Sequence, residues 1–493
     1  MINDMKKNTR LFAFLYNAVL AAVAVFIYCP FFEENDDAFI AMISEGVFGT
    51  RDPHVIYPNV IYGKLLTLLN SVFGQVRWHS VMQYILIFLA MYSLTVFLIE
   101  LTGRRMPAVI FTLLTFYELY VSVQYSKTSA FAAMTGFILM LYEAYTATSK
   151  EGKADNKRIF TGSVLLIAAA LLRDSSFFLA GIFAIVLCLF DMIILVDRKR
   201  GLKLYKMLSV YVTVFAPSLI IILLCSLYNR EIYGGDAKWT TFMEYNAKRT
   251  ELLDFRYDLL DINRYKDKME EEGISENDAL LYLTWQFGDD NVLDVEKMDE
   301  ILTNGSPRPV DLSMMKTFVA NIHNDIFIID PVCFLCLVLI IFMLLPSGKG
   351  DTKSRRKSFF NVCMILAESV IFFGILFYFN YSGRWCHRVV YGAMLAFASV
   401  LMYLFISKFY LDAVDENDGN YTEQTALISN NLYIALLVFT IIIDAGILVG
   451  NRFDYNDHKR TEPDYKGFYA YIQENKDELF IADTFTFQRA YKY

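Results

Sequence analysis

Lys6-Lys7-Asn8-Thr9-Arg10 leads into LFAFLYNAVLAAVAVFIYCPFF, residues 11–32, which is followed at once by Glu33-Glu34-Asn35-Asp36-Asp37. An apolar run of about 20 residues can cross a hydrocarbon core of about 30 Å. Residues 11–32 meet that length, carry no charge and start behind a cationic cluster. A secretory leader shares that start, but its apolar part is shorter and ends at a small-residue cleavage site. No such site follows here, so the run reads as an uncleaved first span. Working outward, similar runs recur along the chain, with expected spans at 11–32, 79–101, 107–124, 128–146, 159–172, 177–196, 207–228, 326–345, 359–380, 389–410 and 431–450. The fold class expected is an all-α polytopic membrane protein with about 11 transmembrane helices.

Composition agrees without deciding the matter. Of 493 residues, 56% are hydrophobic and 20% charged, against roughly a half and a quarter in soluble chains. Aromatic residues make up 16% and gather near the run ends, where an interfacial belt would place them. The net charge of -8 comes mainly from one long polar segment and the tail. With no basic patch outside short loops, nucleic acid is not an expected partner. The cysteines lie mostly inside apolar runs, which argues against a disulfide framework. Cys333 and Cys336 form a CxxC inside a span and read as packing.

Charge sets the orientation. With the N-terminus inside, the cytoplasmic segments are 1–10, 102–106, 147–158, 197–206, 346–358 and 411–430. The first five carry clusters such as Arg104/Arg105, Lys157/Arg158 and Arg355/Arg356/Lys357, while 411–430 is acidic. Short loops on the other side carry at most two cations each, which is the positive-inside asymmetry. The expected location is the plasma membrane, with the N-terminus cytoplasmic and the C-terminus extracytoplasmic.

The chain divides into an N-terminal membrane module (1–228), an extracytoplasmic loop or lid (229–325), C-terminal spans (326–450) and an extracytoplasmic tail (451–493). Within the first outer loop, 33–80, the amphipathic stretch Val55–Phe73 is expected to lie along the interface. The lid shows helical patterning at 277–288 and 294–303, with a break at Gly305-Ser306-Pro307-Arg308-Pro309. In the tail, Tyr465–Glu474 reads as a helix and Leu479–Asp483 as a short strand. No internal repeat is visible, so an inverted-repeat transporter gains no support.

The acidic segment is the sharpest chemical feature. Adjacent carboxylates at a membrane surface repel, so one has a raised pKa or needs a cation or a basic partner. Asp36 or Asp37 could deprotonate an acceptor hydroxyl or orient a metal. The plainer reading is a solvated acidic loop flanking a span. Beyond it come Arg51-Asp52-Pro53-His54 and Tyr57-Pro58-Asn59, then the amphipathic stretch, then a span.

In this order of features the chain resembles the type C (GT-C) glycosyltransferases, polytopic enzymes that use polyprenyl-phosphate-linked sugars. The resemblance is specific only over about residues 33–80. It implies that the acidic motif after the first span supplies the catalytic carboxylate, here Asp37 or Asp36, with Asn35 and Glu34 beside them. It also implies helices lying on the membrane after that motif.

A second set of residues falls on the same side: Lys127 in Gln124-Tyr125-Ser126-Lys127-Thr128, Arg173 in Arg173-Asp174, and Arg384, His387 and Arg388 between two late spans. Arginines in short outer loops run against the positive-inside bias and need a local reason. Arg grips phosphate or pyrophosphate bidentately. Each could equally pair with a nearby acid or snorkel to the interface. In the lid, Asn246 and Arg249 sit in a polar–aromatic stretch that could grip a sugar or form the lid's own core. His54 completes the substrate-binding candidates. Glu118, Glu368 and Asp444 lie deep in spans and would need partners, whereas Glu100 and Glu143 lie at cytoplasmic ends and can reach water.

The function expected is transfer of a sugar from a polyprenyl-phosphate donor to a glycan or lipid acceptor outside the cytoplasm, with membrane lipid as the surrounding partner. The paired carboxylates leave room for a divalent cation, and no other cofactor is indicated. The alternatives are a cell-surface polysaccharide polymerase or ligase working through arginines alone, a lipid-linked glycan transporter, and a non-catalytic scaffold. Polar residues clustered at the outer span ends, rather than strung through the interiors, disfavour the transporter.

Overall fold

The computed structural model describes residues 2–149, 154–198, 204–260, 269–271, 273–284, 294–305, 307–325, 330–344, 352–407 and 430–475. In chain order the helices are α1 (Ile2–Val23), α2 (Asn35–Glu45), α3 (Val60–Val72), α4 (Trp78–Thr102), α5 (Met106–Phe116), α6 (Tyr125–Ser149), α7 (Asn156–Leu172), α8 (Asp174–Arg198) and α9 (Leu204–Gly234). They continue as α10 (Ala237–Thr250), α11 (Glu276–Leu283), α12 (Val295–Asn304), α13 (Leu312–Asp325), α14 (Pro331–Leu344), α15 (Thr352–Ser382), α16 (His387–Ile406) and α17 (Asn430–Glu474). Among the described residues, eight stretches are long and apolar enough to cross a membrane: Asn8–Tyr28, Trp78–Thr102, Tyr125–Thr148, Asp174–Leu195, Leu204–Gly234, Val362–Ser382, His387–Ile406 and Ile434–Arg452. The protein is thus a multi-pass membrane protein built almost wholly of α-helix, the structure that satisfies its backbone within one segment.

The three other expected spans are shorter helices. Met106–Val121 and Pro331–Leu344 are apolar but short, and α7 has 17 residues. Residues 326–329 and 345–351, on the two sides of this stretch, lie outside those described. The tail differs from expectation. α17 runs unbroken for 45 residues, because the end of an apolar run ends a membrane crossing and not the backbone hydrogen bonding. The strand expected at Leu479–Asp483 falls outside the described residues.

The chain forms two compact units, residues 1–225, 328–372 and 388–493 in the first and residues 226–327 and 373–387 in the second. In the first, α6 and α16 are the central helices. Their apolar windows are 78% and 94% buried, against 17–33% for α1, α8, α9 and α17. Close approach is made through glycine. A Cβ on Gly162 of α7 would stand 2.6 Å from Met140 Cγ of α6, and one on Gly136 would stand 2.8 Å from Gly162 O. Small residues of this kind let membrane helices pack backbone to backbone.

The first outer loop folds into two short helices. α2 starts with Asp36 and Asp37 in its first turn and ends at Gly46 in the left-handed region, with acids at the positive end of the helix dipole. α3 begins at Val60, capped by Asn59, whose side chain accepts from Ile61 N. The five residues before it are not helical, since Ile56 has φ 67° and Pro58 has no N–H to donate. Their path is fixed by packing: a Cβ on Gly63 would stand 1.9 Å from Pro53 O.

The second unit has its own core of Leu252, Leu259, Leu260, Met269, Ile274, Ala279, Tyr282 and Met298. Its helices carry local start signals. Asp236 caps α10 and Asp294 caps α12. Ser275 and Asp278 form a capping box at α11.

Candidate active site

The acidic segment is placed by a small device at the end of α1. Phe31–Phe32 pairs in parallel with Ser122–Val123, and Glu33 N donates to Val123 O at 3.0 Å. This fastens residues 33–37 beside the start of α6. Below it, Phe32, Ala38 and Val123 pack together with Tyr84 against them.

Asp36 and Asp37 then point to different surroundings, as neighbours about 100° apart on a helix must. The Asp37 side chain is fully buried. Its Oδ1 accepts from His79 Nε2 at 2.9 Å, Gln83 Nε2 at 2.8 Å and Tyr125 N at 3.2 Å. Its Oδ2 has no hydrogen-bond partner among the described residues. His79 Nδ1 lies 2.9 Å from the Tyr62 hydroxyl. With Nε2–H donating to the carboxylate, Nδ1 accepts from Tyr62 O–H, so the chain Tyr62–His79–Asp37 carries its donors in one direction. Burial pushes the Asp37 carboxyl up, and the His79 hydrogen bond opposes this without cancelling it.

Asp36 keeps 20% of its side chain exposed and stands 3.4 Å from Arg388 Nη2. Arg388 Nη1 holds Glu34 at 3.0 Å. Burial raises the Glu34 carboxyl; Arg388 pulls it down, and Glu33, Asp36 and Asp37 push it up again. Arg388 can reach this place because α16 approaches α6 at Gly392, where a Cβ would meet Ala130 Cβ at 3.7 Å. Tyr125, the first residue of α6, lies within electrostatic reach of Asp36, Asp37, Arg173 and Arg388. The Arg173 guanidinium covers the Tyr57 ring at 4.8 Å and the Tyr125 ring at 5.5 Å. Four of the expected site residues, Asp36, Asp37, Arg173 and Arg388, therefore gather around one tyrosine.

Lys127 has a different environment. It is fully buried, paired with Glu33 and with Glu118 Oε2 at 2.6 Å, and it donates to Ser122 Oγ at 3.2 Å. Glu118 thus finds the partner its depth requires. His54 is held locally, with Nδ1 2.6 Å from Asp52 Oδ1. Arg384, His387, Asn246 and Arg249 belong to the second unit. There Arg384 pairs with Asp254 at 2.8 Å and covers the Phe255 ring at 5.6 Å. Arg249 Nη2 donates to Asn246 Oδ1 at 2.8 Å within α10. His387 is exposed at the start of α16.

His79, Gln83, Tyr62 and Tyr125 are not among the site residues expected from sequence. A usable signal was present: His79 and Gln83 are polar at i and i+4, one face of an otherwise apolar helix. Glu143 differs from the expectation, being 3% exposed, whereas Glu100 keeps 14% of its side chain exposed. The two share Arg158, through Nη2 to Glu100 at 2.7 Å and Nη1 to Glu143. Neither Glu368 oxygen has a partner among the described residues, nor has Asp444 Oδ1.

Compared with known proteins, the chain matches no family model, no curated protein and no solved structure.

Proposed function

We propose that this protein is a membrane glycosyltransferase of the type C kind, moving a sugar from a polyprenyl-phosphate donor to an acceptor hydroxyl on the extracytoplasmic side of the plasma membrane. The observation that carries this reading is the meeting of Asp36 with Arg388 at 3.4 Å, residues from opposite ends of the chain. A base beside a phosphate-binding cation is what displacement at an anomeric carbon requires.

Asp36 takes the role of base. Its carboxylate is partly exposed, whereas Asp37 is sealed under His79, Gln83 and Tyr125. A base has to touch the hydroxyl it deprotonates. In the step itself, Asp36 takes the hydroxyl proton and the acceptor oxygen forms a bond to the anomeric carbon. The bond from that carbon to the phosphate oxygen breaks, and the phosphate leaves with the electron pair. Arg388 stabilises the charge growing on that oxygen, with Arg173 stacked on Tyr125 as a second cation nearby. Donor phosphate arriving at Arg388 competes with Glu34 and Asp36, which loosens the ion pair and frees Asp36 for the acceptor. Asp37, Gln83 and His79 hold the first turn of α2 in place.

The test is complementation. A strain lacking the gene loses a surface glycan, and the wild-type protein restores it. Asp36→Asn, present in the membrane at the same level, lowers the transfer rate by about 10²–10⁴-fold, the usual contribution of a general base. Arg388→Gln weakens both the rate and retention of polyprenyl phosphate by the purified protein. Normal transfer by Asp36→Asn together with loss in Arg388→Gln would instead favour an arginine-driven polymerase.

A further inference from the structure

The other end of α4 carries a different site. His79 lies one residue into this helix and Glu100 two residues before its end, so they stand roughly 30 Å apart at 1.5 Å per residue. That is about the thickness of the hydrocarbon core. Around Glu100, parts of α1, α4, α6 and α7 enclose a cavity of about 210 Å³. Its apolar wall includes Val96, Phe97 and Leu139, and its charged wall is made by Arg10, Glu100, Asp155, Lys157 and Arg158, with Asp155 Oδ1 taken up by Lys157 N at 2.9 Å.

The charges are unevenly satisfied. Arg158 is fully engaged: it bridges Glu100 and Glu143 and covers the Phe97 and Tyr142 rings at 5.6 and 5.4 Å. The second Glu143 oxygen accepts from Asp155 N at 2.7 Å. Glu100 Oε1, by contrast, is buried and has no hydrogen-bond partner among the described residues. The Arg10 and Lys157 side chains make no ion pair among the described residues. The cavity thus offers two cations and, beside them, the Glu100 carboxylate, whose side chain is 14% exposed.

From this we infer that the cavity binds the headgroup of phosphatidylethanolamine. The phosphate sits between Arg10 and Lys157, and the primary ammonium pairs with the Glu100 carboxylate. The volume lies below the 300–1,000 Å³ of pockets for drug-sized ligands, which suits a headgroup whose acyl chains lie outside. A lipid face is ready for those chains: Leu11, Phe14 and Leu15, directly after Arg10, are 54%, 51% and 54% exposed, and Phe160, after Lys157, is 70% exposed. A phosphatidylglycerol headgroup would satisfy the cations but bring no cation to Glu100. A choline headgroup has no N–H to donate. The inference does not depend on the glycosyltransferase reading.

Native mass spectrometry of the full chain, offered phosphatidylethanolamine, phosphatidylglycerol and phosphatidylcholine in equal amounts, tests it. The expected result is retention of phosphatidylethanolamine about tenfold above the other two. Glu100→Gln should abolish that preference over phosphatidylglycerol. Lys157→Gln and Arg10→Gln, at exposed positions where folding is not at stake, should weaken retention of both phosphatidylethanolamine and phosphatidylglycerol. Equal retention of the three lipids by the wild type overturns the proposal, as does a preference untouched by Lys157→Gln and Arg10→Gln. If soluble phosphoethanolamine binds while phosphatidylethanolamine does not, the ligand is a small phosphate amine and the lipid assignment falls.

Discussion

His79 shows how much a single buried side chain can fix. One ring joins the Asp37 carboxylate of α2 to the Tyr62 hydroxyl of α3, so both outer-loop helices are registered against the first turn of α4. His79→Ala removes a donor to a buried carboxylate and leaves Tyr62 without its acceptor; a loss of roughly 1.5–3 kcal/mol is expected for the charged bond. Tyr62→Phe should cost less, about 0.5–1.5 kcal/mol. Thermal unfolding in detergent measures both, and the double variant should cost less than the sum, because the two residues share one network. Lys127 gives a sharper case. Lys127→Met leaves Glu33 and Glu118 buried without their cation, which is expected to cost about 3–5 kcal/mol. Adding Glu118→Leu should recover part of that in the same melting assay, and a further loss in the double variant would count against the pairing described.

At the scale of elements, the second unit contains a clasp that should depend on pH. Asp258 accepts from Arg308 at 3.0 and 2.6 Å and from Arg256 at 3.3 Å, and Arg308 also donates to Tyr381 O at 2.9 Å. Gly383 follows with φ 77°, where a Cβ would stand 2.5 Å from Arg308 Nη1. Burial alone would raise the Asp258 carboxyl, but the two arginines hold it below its ordinary value. A carboxyl depressed on folding contributes stability that is present above its unfolded pKa and is lost as the pH falls through the folded one. Hydrogen exchange at residues 381–384 should therefore speed up as the pH drops below about 4, after correction for the intrinsic pH dependence of exchange. Asp258→Asn should exchange at the faster rate across the range, with no such step. A step that persists in the variant would assign it to another group.

For the whole molecule, the two ends of α4 make the orientation testable. The reading places the His79 end outside and the Glu100 end inside. With the seven native cysteines replaced, Thr67→Cys on α3 should react with an impermeant maleimide in intact cells, and Lys157→Cys only after permeabilisation. Labelling of both in intact cells would invert or break the arrangement. It would also separate the proposed chemistry from the extracytoplasmic face.

Length and hydrophobicity are local properties, and so the sequence alone was enough to determine a polytopic helical protein. Eight of its apolar runs are helices that can span. The acidic turn after the first span was equally legible, because it is five consecutive residues. The sequence could not say which aspartate faces which partner. That depends on a rotation of about 100° between neighbours and on where α4 and α16 arrive. Arg384 and Arg388 make the same point. They are nearly adjacent in sequence, yet one pairs with Asp254 of the second unit and the other with Glu34 and Asp36 of the first. Hydrogen bonds reach only about 3 Å, so their partners are chosen by the packing of distant helices, which only the tertiary structure decides.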